Sequence, residues 1–122
     1  MYRTKGARWV PMVRWLYSRA SKWHVEHAVM GLAERLKSLR LVPVEMIDGR
    51  VLYLDLRNPA SMPYLMQGDF PCEGCETEFV RQVVRPGDAV IDIGANVGWY
   101  TSLLCELVGE GGKVYAFEPN KN

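Results

Sequence analysis

The chain has 122 residues, 48% hydrophobic and 24% charged, the composition of one ordinary globular domain at most. No run of about 20 apolar residues occurs, so no transmembrane helix is expected, and no apolar signal segment follows the basic start. The net charge of +1 conceals an asymmetry: residues 1–40 carry nine basic side chains against two acids, Glu26 and Glu34, and the remainder is acidic.

Residues 9–40 read as one or two helices. Val13, Leu16, Tyr17 and Ala20, then Val29, Leu32, Ala33 and Leu36, recur at helical spacing. Pro11 suits a first helical turn and Ser21 a second helix's cap. Trp9, Trp15, Tyr17 and Trp23 stand among the cations. Such a stripe packs against the rest of the protein with its long cationic side chains snorkelling, lies on an anionic membrane surface, or stacks on nucleic acid. Packing is the favoured reading, contact with an anionic membrane stays open, and nucleic acid is not expected as a partner.

Next, Val44–Ile47 and Val51–Leu56 flank Asp48-Gly49, which predicts a β-hairpin whose turn residues both tolerate positive φ. Residues 57–75, punctuated by Pro59, Pro63, Gly68, Pro71 and Gly74, read as irregular. A short helix is expected over Glu76–Val84, closed by Pro86-Gly87. Ala89–Ile93 then reads as a buried strand, Gly94–Gly98 as a tight loop, Tyr100–Val108 as a helix stopped by Gly109, and Val114–Phe117 as a second strand. Strand, loop, helix, strand predicts a right-handed βαβ unit with a parallel pair. The chain divides into a basic helical head (1–40), a hairpin and irregular segment (41–75), and the start of a ligand-binding α/β domain (76–122).

Asp92 ends the first strand, at the carboxyl edge where open α/β sheets bind ligands. Gly94 and Gly98 let the loop turn sharply and let a ligand approach the backbone. Glu118 ends the second strand, where a carboxylate can accept hydrogen bonds from both hydroxyls of a ribose. An adenosine-containing cofactor fits. A dinucleotide fingerprint requires Gly-x-Gly-x-x-Gly; here Asn96 replaces the middle glycine, and Asp92 would repel a pyrophosphate. S-adenosylmethionine carries an ammonium and a sulfonium and no phosphate, so Asp92 favours it over a nicotinamide dinucleotide.

The run Pro86-Gly87-Asp88-Ala89-Val90-Ile91-Asp92-Ile93-Gly94-Ala95-Asn96-Val97-Gly98-Trp99-Tyr100-Thr101, followed by Val114-Tyr115-Ala116-Phe117-Glu118-Pro119-Asn120, resembles the FkbM family of S-adenosylmethionine-dependent methyltransferases. The resemblance implies an α/β fold of the class I methyltransferase, Rossmann-like type. It also implies O-methylation of a sugar, polyketide or similar small acceptor. Carried over by position, Asp92, Gly94, Ala95, Asn96 and Gly98 form the cofactor loop and Glu118 holds the ribose. Glu73 stands at the place of a further acidic residue, with Cys72 where the family has an aromatic. No residue suggests itself as a catalytic base.

The resemblance implies a sheet of about seven strands, of which two fall before Asn122. The expectation is therefore an incomplete fold: the N-terminal part of a longer enzyme, inactive in methylation and binding cofactor weakly or not at all. The alternative is a non-catalytic binding or interaction module using the basic helices. Three cysteines form no disulfide framework, which suits a reducing, cytoplasmic setting. Cys72 and Cys75 form a C-x-x-C that could join His24 and His27 in a zinc site, but the histidine spacing is short and no metal is expected. A redox role for the pair would need its own βαβ context.

Overall fold

The computed structural model describes residues 6–69 and 74–119, and the chain divides after Phe70 into two compact units. The first contains helices α1 (Val10–Arg19) and α2 (Lys22–Arg35), a 3₁₀ turn (Lys37–Leu39), strands β1 (Leu41–Glu45) and β2 (Val51–Asp55), a second 3₁₀ turn (Pro59–Ser61) and helix α3 (Met62–Gln67). Pro11 lies in the first turn of α1, where a missing N–H costs nothing. Ser21 occupies the cap position of α2, but its side chain makes no capping hydrogen bond.

β1 and β2 pair antiparallel, with Val42 opposite Leu54 and Val44 opposite Leu52. All four are buried, as the two-residue period requires of one inward face. β1 starts three residues before the expected Val44 and ends at Glu45. Pro43 does not break it, because its carbonyl points away from β2 and accepts the Ala7 N–H at 2.7 Å. The donor that proline lacks would have pointed the same way, so no ladder bond is lost. The turn also differs from expectation. Gly49 has positive φ (84°) and Asp48 does not. Gly49 N–H donates to the Met46 carbonyl and Met46 N–H to the Arg50 carbonyl, so the connection is a three-residue turn with glycine at its left-handed position.

The stretch expected to be irregular contains α3, which buries Met62, Tyr64, Leu65 and Met66. Pro59 and Pro63 sit at helix starts rather than interrupting anything. Pro59 follows Asn58, whose side chain accepts the Ala60 N–H at 2.9 Å, and Pro63 lies in the first turn of α3. Gly68, at φ 72°, ends the helix. The Arg14 side chain reaches across from α1. Its Nε donates to the Leu65 carbonyl at 2.8 Å and its Nη2 to the Glu45 carbonyl at 3.2 Å. Burial draws the Arg14 pKa down from the ordinary arginine value, and the Glu45 charge opposes that.

The second unit contains helix α4 (Gly74–Val83), strand β3 (Ala89–Ile93), helix α5 (Trp99–Val108) and strand β4 (Lys113–Phe117). β3 and β4 are parallel, in register from Ala89 opposite Lys113 to Ile93 opposite Phe117. Leu103, Leu104 and Val108 of α5 are buried. Gly112 lets β4 begin close beneath the helix: a Cβ there would lie 2.3 Å from Val108 Cβ and 2.7 Å from the Asp88 carbonyl.

β3 is not the buried strand its apolar run predicts. Ile91 is 64% and Ile93 84% exposed, and Tyr115 and Phe117 of β4 are exposed as well. Alternate residues Val90, Asp92 and Val114 are half-buried. Among the described residues α5 packs against the strand pair while these four side chains face outward. The whole is a mixed α/β structure with two small sheets, compatible with part of a Rossmann-like fold. Among the described residues no helix is long and apolar enough to cross a membrane.

Candidate functional site

The carboxyl ends of β3 and β4 are joined through the loop between β3 and α5. Gly94 and Ala95 both donate their backbone N–H to the Phe117 carbonyl, at 2.8 and 3.1 Å. The chain then reverses: Gly98 N–H donates to the Ala95 carbonyl at 2.7 Å, and Gly98 becomes the N-cap of α5. Three residues here have positive φ: Gly94 (82°), Asn96 (47°) and Gly98 (84°). Asparagine is among the few non-glycine residues that adopt this region at modest cost, which accounts for Asn96. A Cβ at Gly94 or Gly98 would meet no protein atom within 4 Å. Backbone conformation, not crowding by neighbours, sets the demand for glycine, and the space beside both residues is open.

The Asn96 N–H donates to Glu118 Oε2 at 2.7 Å, across 22 residues of sequence. Glu118 thus stands against the loop, half-buried at the end of β4. Asp92 accepts a hydrogen bond from the Thr101 hydroxyl in the first turn of α5, which fixes the carboxylate on the helix side of the strand. Both acids therefore lie at one sheet edge, each tied to the loop or to the helix that leaves it. Thr101 closes the run that carries the family resemblance, but its sequence position alone assigned it no role.

Beside Asp92 an open groove of about 820 Å³ runs between α4 and the β3–α5 layer. Phe79, Val80 and Ile91 give it apolar walls, and Glu76, Asp92 and Tyr100 are its polar groups. Gly94, Gly98 and Glu118 do not line it.

The other sequence candidates are placed less fully. Cys72, Glu73 and Asn120 lie outside the described residues. Cys75 is an exposed thiol in the first turn of α4. His24 and His27 lie on α2, where His27 Nδ1 hydrogen-bonds the Trp23 carbonyl at 2.8 Å and its ring lies 4.1 Å from the Trp23 ring. Among the described residues no group of three metal-ligating side chains forms.

A 34-residue stretch of the chain is 53% identical to part of a protein-L-isoaspartate O-methyltransferase from Aeropyrum pernix. The match covers 28% of this chain and 13% of that protein. No family model and no solved structure matches. The similarity points to a methyltransferase in general and to no family within that class.

Proposed function

We propose that residues 74–119 are the cofactor-binding start of an S-adenosylmethionine-dependent methyltransferase of the FkbM type. The observation that supports this best is the 2.7 Å hydrogen bond from Asn96 N–H to Glu118. It joins the glycine loop to a carboxylate at the neighbouring strand end, the layout an adenosine ligand requires. A carboxylate accepts several hydrogen bonds at once, so Glu118 can hold the loop and a ribose together. Asp92 supplies negative charge suited to the cationic methionine portion and unsuited to a pyrophosphate. Gly94, Ala95, Asn96 and Gly98 shape the loop at which the ligand lies.

Methyl transfer from a sulfonium is a displacement with a good leaving group, so much of the catalysis is alignment of the acceptor oxygen. The acceptor we infer is a hydroxyl of a sugar, polyketide or other small molecule. No base is assigned among the described residues.

Equilibrium dialysis of the 122-residue chain against S-adenosylmethionine and NAD tests the reading. Weak, roughly millimolar binding of S-adenosylmethionine and none of NAD is expected. Glu118→Gln and Asp92→Asn should each weaken it about tenfold with circular dichroism unchanged. Preference for NAD, no binding of S-adenosylmethionine, or indifference to both substitutions overturns it.

A further inference from the structure

Helix α1 is apolar on two opposite sides. Val10, Val13, Arg14 and Tyr17 share one side at helical spacing, and there Val10 and Val13 are buried. Met12, Trp15, Leu16 and Arg19 share the other, and all four are exposed, Met12 by 60% and Trp15 by 54%. Next to this outer side the apolar surface continues onto α2. Two grooves of about 220 and 330 Å³ share Val13, Val29 and Leu32, forming one trough between the helices.

Residues 1–40 carry nine basic side chains against Glu26 and Glu34, so the charge around this surface is predominantly positive. Residues 1–25 contain six basic side chains and no acid. The first acid, Glu26, accepts a hydrogen bond from the Tyr17 hydroxyl at 3.1 Å. The Arg19 guanidinium lies 4.7 Å from the centre of the Trp15 ring, and the Lys22 ammonium 5.5 Å from that of Tyr17. The Trp15 ring beside the Arg19 cation, on the exposed apolar side, suits the boundary between lipid headgroups and acyl chains.

We propose that the outer face of α1, with the trough beside it, docks on an anionic lipid bilayer. Met12, Trp15 and Leu16 enter the headgroup boundary, while Arg8 and Arg19 meet lipid phosphates and carboxylates. Trp15 decides between this and an acidic partner helix. It lines neither groove, so a helix laid in the trough would leave it in water. A broad surface covers crest and trough together. The inference is independent of the methyltransferase reading, because it uses none of residues 74–119.

Co-sedimentation of the 122-residue chain with vesicles tests it. The chain should sediment with phosphatidylcholine vesicles containing roughly a third phosphatidylserine and stay in solution with phosphatidylcholine alone. About 0.5 M salt should release most of it. The double variant Met12→Ser/Trp15→Ser should lower the bound fraction about tenfold. Arg8→Glu/Arg19→Glu, which leaves every apolar side chain in place, should do the same, with helical circular dichroism retained. Absence of binding to anionic vesicles at low salt, which an acidic protein partner would give, overturns the proposal. So does equal binding to neutral vesicles, or undiminished binding by either folded variant.

Discussion

Gly98 and Gly112 are both glycines for structural reasons, but not the same one. At Gly98 the φ of 84° is unfavourable for a side chain, while a Cβ would meet only open space. Gly98→Ala should therefore cost about 1–2 kcal/mol, the strain of an L-residue in the left-handed region. At Gly112 the crowding itself is the obstacle. The Asp88 carbonyl cannot retreat from an added Cβ without weakening its 2.8 Å hydrogen bond from Lys113 N–H. Gly112→Ala should cost about 3 kcal/mol, at the upper end of overpacking. Urea titration read by amide exchange in β4 checks both; equal losses would refute the distinction. The carboxylate of Asp55 carries a pH prediction. Hydrogen bonds from the Arg57 side chain hold its pKa below the ordinary aspartate value, with burial opposing and the Arg57 backbone N–H adding to the shift. A depressed carboxyl stabilises the fold above its ordinary pKa of about 3.9 and loses that contribution as pH falls through the lower folded value. Asp55→Asn should lower the melting temperature only slightly at pH 7, because the pair is exposed and screened by solvent. The difference should shrink as pH falls below the ordinary aspartate range; a gap that does not narrow with falling pH would contradict the assignment.

At the scale of elements, periodicity located the long helices and the βαβ alternation, because those depend on repeats that neighbours in sequence report. It failed where one residue type has two meanings. Pro59 and Pro63 were legible as chain breaks, yet both open helical turns; the capping bond of Asn58 marks the first, and no side-chain cap marks the second. Pro43 likewise hid the start of β1, since whether its missing N–H matters depends on which side of the strand faces the partner. Ala89–Ile93 was legible as a strand but not its exposure, because an apolar run records what a strand can bury and not what covers it. In the candidate site, the glycines and both acids could be picked out by spacing. The link between Asn96 N–H and Glu118 could not, because it depends on the register of a parallel pair.

The molecule as a whole is two units of unlike construction. In the second, the outward side of the strand pair carries Ile91, Ile93, Tyr115 and Phe117, and an exposed apolar face of this kind favours association. Ile91→Thr/Ile93→Thr should leave unfolding stability within about 0.5 kcal/mol while reducing self-association. Sedimentation velocity over a concentration series checks this, and unchanged association would remove the face as its cause. The first unit is fastened differently. Ala7 bonds to Pro43 and Arg14 to the carbonyl of Leu65, a separation of 51 residues, whereas β3 and β4 meet after a single helix. A clasp between the opening and the closing segments of a unit can shut only after the last of them has left the ribosome. The amino-terminal unit therefore completes its fold late for its position in the chain, and until then the carbonyls that Arg14 will hold are served by water.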